Sequence, residues 1–383
     1  MGSVAINNSY DVIIAGLGAM GSAAAFHLAK RNKRVLGLDR FTPPHDFGSS
    51  HGQSRIIREA YFEHPVYVPL VQRAYELWAE LEKESRQMFF QQTGGVMVGP
   101  PDGMLVSGAK LSADIHHLPY EILSTTELRS RFPAFRPSVE MAGLWEPRAG
   151  ILFPEKCIAA HLGLARRCGA EFHFDEAVTG WQSDGDGVLV TTSKGSYRAA
   201  RLLLTTGAWM STLLRDVHIS FTVKRQVLLW FNPAANRHDF SPERFPIFIL
   251  EYGTDEHFYG FPDLGSGVKI AIHHQGETAE PDNLRREVDR EEVEKVRELL
   301  RHFIPNADGA LLSTAVCMYT NTPDFHFLID AHPAYPQVLI ASPCSGHGFK
   351  FSSAIGEVLA DLIATGKSSF DLSLFKIDRL AID

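Results

Sequence analysis

The feature that most constrains this chain is Gly16-Leu17-Gly18-Ala19-Met20-Gly21, a G-x-G-x-x-G run that follows the apolar stretch from Asp11 to Ala15. It leads into an Ala-rich helix candidate from Ser22 to Lys30, and a second apolar run, Val35 to Leu38, ends at Asp39. Strand, glycine turn, helix and a second strand closing on an acid make up a dinucleotide-binding βαβ unit. Gly16 permits the tight turn, Gly18 lets backbone approach a pyrophosphate, and Gly21 allows the helix to pack closely. The phosphates would meet unpaired N–H groups and the positive end of the helix dipole. Asp39 would accept hydrogen bonds from the adenosine ribose. Flavin and nicotinamide dinucleotides share this motif, so it leaves the cofactor open.

The rest of the chain extends that beginning. Leu70, Ala74, Leu77, Trp78 and Leu81 recur at helical spacing, predicting an amphipathic helix over 66–81. Another helix begins near residue 155 and stops at Gly169. Short strands then alternate with the turn signals Asp184-Gly185-Asp186-Gly187 and Lys194-Gly195, and a meander leads into an apolar strand over 202–209. Alternating bulky and polar residues over 218–275 predict an antiparallel sheet. A charged helix carrying Val293, Val296, Leu300 and Phe303 follows, then the strand VLIAS and a last helix with Phe351, Ile355, Val358 and Leu362. The expectation is an α/β chain: a Rossmann-type nucleotide-binding domain of discontinuous segments (9–85, 150–215 and 320–383), with an inserted antiparallel-sheet substrate domain (86–149 and 216–319).

At 383 residues and 45% hydrophobic content the chain can bury a sizeable core. A net charge of −8 argues against a nucleic-acid partner, which needs a basic stripe. No apolar run approaches the roughly 20 residues that span a bilayer, and Met1 to Tyr10 lacks the charged and apolar regions of a secretory signal. A soluble, cytoplasmic protein is expected. The four cysteines, Cys157, Cys168, Cys317 and Cys344, form no CxxC pair, and His116-His117 and His273-His274 lack ligand spacing, so no metal is expected. Gly48-Ser49-Ser50-His51-Gly52 formally fits G-x-S-x-G, but TPPHDF precedes it where a nucleophile elbow needs a buried strand.

The segment GSSHGQSRIIR, Gly48 to Arg58, gathers His51, Arg55 and Arg58 in a net-acidic chain, and such a cluster suits an anion. Near the C-terminus, CMYTNTPD (317–324) is followed by SGHGFKF (345–351). Together with GLGAMG and HGQSRIIR, these segments resemble the monomeric sarcosine oxidase and N-methyltryptophan oxidase family of flavoproteins over essentially the whole chain.

That resemblance implies FAD, bound covalently through an 8α-S-cysteinyl link at Cys317, and oxidation of an N-methyl or cyclic secondary amino acid by O2 in a monomeric enzyme. A free cysteine is otherwise usually a small buried hydrophobe. His51, Arg55 and Lys350 match basic residues that stabilise charge on the reduced isoalloxazine, with N–H groups from Gly346 to Phe349, Gly348 among them, adding to the field. Arg40, Ser49, Ser50, Val178 and Gly207 complete the expected cofactor contacts. Arg58 and Lys350 resemble the pair that holds the substrate carboxylate. Lys269 matches the lysine that serves oxygen reduction, although a lone lysine in a strand is more often solvated. Tyr259, His273 and Tyr319 would line the amine pocket.

The chain departs from the family in places. Pro343-Cys344 stands where the family carries Gly-Leu or Gly-Phe, which puts a second thiol near the expected flavin. Ser54 replaces a threonine, and Asn321 and Phe325 also vary. An NAD-dependent dehydrogenase and a flavin-binding or electron-transfer protein that does not use O2 are the competing readings.

Overall fold

The computed structural model describes residues 7–214, 216–217 and 219–380; Met1 to Ile6, on which most of the signal-peptide reading rests, lie outside them. Strand β1 (Asn7–Ala15) pairs in parallel with β2 (Val35–Leu38) on one side and with the strand Ser196–Leu204 on the other. The sheet extends in parallel to Glu171–His173 and Val338–Ser342, and an antiparallel meander of Val178–Asp184 and Gly187–Thr192 closes one edge. Val12, Ile13, Ile14 and Ala15 are all fully buried. Strands covered on both faces are apolar throughout, which is why this run shows no alternation.

Helix α1 (Ala19–Lys30) lies against the helices Pro154–Arg167 and Ser352–Thr365. Its alanines permit the approach: a Cβ on Gly356 would lie 2.6 Å from Ala23. The helix expected over 66–81 runs Tyr67–Ser85 and ends on left-handed Arg86.

A second sheet of eight strands has the order Leu311–Asn321, Thr222–Phe231, Val268–Ile272, Glu256–Phe261, Ile247–Gly253, Gly95–Gly99, Ala142–Glu146 and Glu121–Ser124. Its back carries an aromatic core, including Phe135 stacked on Phe245 at 4.9 Å, and the helix Arg290–Phe303 buries Val296, Leu300 and Phe303 there. A small third sheet, β3 (Arg55–Ile57) with Gly150–Leu152 and Phe90–Gln92, carries the chain between the two layers.

Three expectations need correcting. The apolar strand over 202–209 ends at Leu204, because Gly207 takes φ +54° and opens a 3₁₀ turn, Gly207–Trp209. The 218–275 region is antiparallel within itself, yet Ile247–Gly253 pairs in parallel with Gly95–Gly99, a partner about 150 residues earlier. The last helix starts at Ser352, after a 3₁₀ turn over Phe349–Phe351. Among the described residues no helix is long and apolar enough to cross a membrane, and no cluster of three potential metal ligands occurs.

Candidate active site

A cavity runs from the start of α1 to the face of the second sheet. Its first end is made of backbone. Gly16 has φ +92°, and a Cβ there would stand 2.6 Å from the Thr205 carbonyl oxygen. Gly21 does not line the cavity; a Cβ on it would fall 1.8 Å from the Gly16 oxygen, so its task is packing. Gly18 caps α1 without any side-chain bond, leaving the first N–H groups free beside the cavity wall. Unpaired donors at a helix start attract an anion.

Asp39 is buried and accepts the Leu17 N–H at 2.7 Å and the Phe41 N–H at 2.9 Å. It therefore braces the glycine turn as well as facing the cavity. Arg40 reaches Asp282 at 2.7 Å and lies over the Trp209 ring. Arg40, Ser49, Ser50, Val178 and Gly207 all line the wall.

The other end is cationic. Arg55 donates to the carbonyls of Ser54 and Ser49, both at 2.8 Å, and lines the cavity. Arg58 is 2% exposed; its guanidinium donates to both Glu63 oxygens, at 2.7 and 2.9 Å, and to the Ala60 carbonyl at 2.8 Å. Lys350 donates to the His347 carbonyl at 2.6 Å and to the Tyr61 hydroxyl at 3.4 Å. Burial, with the Arg58 charge second, pushes its ammonium down to about 7.

Opposite these cations, Tyr319 Oη lies 3.3 Å from both Tyr259 Oη and His273 Nδ1. Cys317 and Tyr319 are two apart on one strand and so share a face, and both line the cavity. Gly346 closes against them: a Cβ there would meet the Tyr319 ring at 2.7 Å and His273 at 3.0 Å. Burial holds the Tyr259 and Tyr319 phenols above their ordinary range, so they stay protonated donors, and it holds His273 well below its own, so its imidazole is neutral.

Besides Gly21, two expected residues do not line the cavity. His51 is buried beside it, with Nε2 unpartnered; burial and then the Arg55 charge push the imidazole down to about 4, so it is neutral rather than basic. Lys269 is 2% exposed and donates to Gly52 O at 2.7 Å, Ser54 O at 2.9 Å and Ser54 Oγ at 3.2 Å. Burial first, and Arg55 second, hold its ammonium well below the usual lysine range.

The second thiol is real. Cys344 follows the strand Val338–Ser342 and lines the same cavity as Cys317. Burial raises both thiols, to about 11 for Cys344; at Cys317 the Arg55 and Lys269 charges oppose that rise, and at Cys344 no cation does.

Glu63 and His347 line the cavity and Tyr61 accepts from Lys350; of the three, only the backbone N–H of His347 was anticipated. Glu63 lies five residues after Arg58, so its charge was the available signal. Glu146 was invisible: it accepts the N–H groups of Glu59 and Ala60, at 2.6 and 2.9 Å, from a strand nearly ninety residues away.

Uncapped donors at one end, an acid at the end of β2 and a buried cationic pocket at the other end fit an extended, negatively charged dinucleotide. The chain belongs to the family described as FAD dependent oxidoreductase (DAO), which matches residues 11–362. FAD is its cofactor, and it is an oxidoreductase. Within that class it is 46% identical to a monomeric sarcosine oxidase of Streptomyces avermitilis, over 97% of this chain and 98% of that one. It is 35% identical to the N-methyl-L-tryptophan oxidase of Salmonella enteritidis PT4, over 97% and 99%. Among solved structures, NikD, described as an unusual amino acid oxidase essential for nikkomycin biosynthesis, superposes with a TM-score of 0.84 at 25% identity, over 97% of this chain and 98% of that one.

Proposed function

We propose that the protein oxidises the C–N bond of an N-methyl or cyclic secondary amino acid, with O2 as final electron acceptor and FAD held covalently by Cys317. The observation that carries this reading is the pair of buried cations, Arg58 and Lys350, lining the same cavity as the uncharged side chains of Tyr259, His273 and Tyr319. Two cations suit a carboxylate; neutral phenols and a neutral imidazole suit an amine that must react as the free base.

Bound FAD would supply a two-electron acceptor for the amine and, once reduced, an electron donor for O2. The protein's residues do the positioning. Arg58 receives the substrate carboxylate bidentately, which requires exchange from Glu63, and Lys350 adds a point charge. An acceptor on this wall, the neutral His273 nitrogen or the Tyr319 oxygen, takes the amine N–H, which orients the nitrogen and keeps its lone pair free. The imine formed takes up water; an N-methyl substrate gives formaldehyde and the primary amino acid, and O2 with two electrons and two protons gives H2O2. Lys269 supplies a fixed positive charge for oxygen reduction, and Arg55 one for the reduced cofactor. Gly16, Gly18, Asp39, Arg40, Ser49, Ser50, Val178, Gly207, Gly346 and Gly348 line the route the cofactor would follow. Arg55 and Lys269 favour Cys317 over Cys344 as the linked residue, because they stabilise a thiolate there and nothing comparable does so at Cys344.

The reading extends to a cytoplasmic monomer in which 9–85, 150–215 and 320–383 bind the cofactor and 86–149 with 216–319 form the substrate side. Oxygen consumption across a panel of N-methyl and cyclic amino acids tests the activity, and a flat panel rejects it. Acid precipitation should leave the yellow colour in the pellet; colour in the supernatant rejects the covalent bond. Cys317→Ser should release it, whereas retained covalent flavin would move the link to Cys344. Lys269→Met should slow reoxidation by O2 on the order of 10²-fold while sparing reduction by substrate.

A further inference from the structure

Lys269 stands behind the loop 52–54, and that loop is strained. Gly52 and Gln53 both take positive φ, +96° and +71°. The Ser54 N–H donates to Gly52 O at 2.9 Å, which makes Gln53 the centre of a γ-turn of the rare positive-φ kind. Strain of this sort persists only where surrounding structure fixes it, and it collects at functional sites. The turn aims two carbonyls, of Gly52 and Ser54, at the Lys269 ammonium.

What fixes the turn from its other side is Glu155. One of its carboxylate oxygens accepts the Gly52 N–H at 2.7 Å and the Gln53 N–H at 3.0 Å. The Gln53 N–H and the Gly52 C=O belong to the same planar peptide group. The carboxylate, the peptide and the ammonium therefore form one chain of hydrogen bonds, each bond polarising the next. Glu155 lies in the first turn of the helix Pro154–Arg167, where the helix dipole favours a negative charge. Among the described residues it forms no salt bridge.

We infer that Glu155 is a positioning residue which, through the Gly52–Gln53 peptide, holds the Lys269 ammonium in place and in its charged form. The inference rests on the reading of Lys269 as the cation that serves oxygen reduction, and it adds the group that keeps that cation charged. The charged and titratable groups facing Lys269 are few. Arg55 on β3 opposes its charge; Cys317, on the strand Leu311–Asn321, and Glu155 favour it. The Trp230 and Phe261 rings complete the surroundings, at 5.4 and 4.8 Å. Cys317 helps only as a thiolate, and either a protonated thiol or a thioether removes that help. Glu155 is then the remaining negative charge in the set.

Glu155→Gln isolates the charge, because the amide oxygen can still accept both N–H groups. The titration of Lys269 is read directly from its ε-carbon resonance in lysine-labelled holoenzyme, with Lys269→Met giving the assignment. An opposite charge favours ionisation, so its loss should lower the Lys269 midpoint by about one pH unit. An unmoved midpoint overturns the inference. If the amide variant yields no folded holoenzyme, Glu155→Asp, which withdraws the charge by one methylene, should lower the midpoint by a smaller amount, and no movement there is equally fatal. The pH profile of reoxidation by O2 separates the two layers. Its falling alkaline limb should move to lower pH together with the resonance; a resonance that moves alone keeps the Glu155 link and removes Lys269 from oxygen reduction.

Discussion

The loops on either side of β3 hold their cations in opposite ways. Before β3, the turn over 52–54 offers Lys269 only neutral acceptors, two carbonyls and a hydroxyl. After β3, the segment 58–63 gives Arg58 a direct carboxylate, both oxygens of Glu63. Burial makes either cation costly unless it is hydrogen-bonded. The solutions differ in what they leave available. A cation held by dipoles has no carboxylate to be displaced by whatever binds nearby, whereas a cation paired with an internal carboxylate becomes available only when another carboxylate takes that place. On the proposed reading, the cation that serves oxygen has no direct carboxylate partner, and the one that serves the substrate has one to displace.

The largest test of this contrast is Arg58→Ala. It should weaken binding of a simple carboxylate by about 100-fold, read by titrating the flavin spectrum, since a bidentate charged contact is lost. It should also lower stability by about 1.5–3 kcal/mol, seen in thermal melts, because the part-buried Glu63 carboxylate loses its charged hydrogen bonds. Unchanged carboxylate affinity would remove Arg58 from substrate binding.

Lys350 shows the contrast in its pH dependence. Its ammonium is pushed down to about 7, below its unfolded value, so the charge is present under acid conditions and lost as pH rises through 7. Affinity for a carboxylate that lacks an amine should fall about tenfold between pH 6 and 8, and Lys350→Met should flatten that slope. A slope that survives the substitution assigns it to another group. The reacting amine works the other way, since its free base grows with pH.

The smallest effect is expected from Glu63→Gln. With a neutral competitor, Arg58 should bind a carboxylate about fivefold more tightly, because a charged hydrogen bond is roughly twice as strong as a neutral one. Weaker binding would mean that Glu63 assists the ligand instead of competing with it.

These residues were unequally legible. Gly16, Gly18 and Asp39 could be placed from sequence because a strand, a turn and a helix start are local structures with fixed backbone needs. Cys317 and Tyr319 share a face because strand residues two apart must. Resemblance matched Arg58 to a carboxylate-binding position, but neither its burial nor its present partner was legible. Lys269 was found only through the family, since a lysine in a strand carries no mark of burial. Glu155 and Glu146 were missed because each acts on backbone N–H groups, and a backbone amide has no sequence signature.

The sequence by itself determined the nucleotide end of this protein: which residues turn, which start the helix, which acid closes the second strand. Short-range sterics and hydrogen bonding suffice for that. Tertiary structure decided the other end. It set Gly52 against Lys269 across 217 residues and Glu155 against Gly52 across 103. It also left His51 neutral and paired Arg58 with Glu63. A charge's state depends on burial and on which dipoles face it, and only the folded chain brings those together.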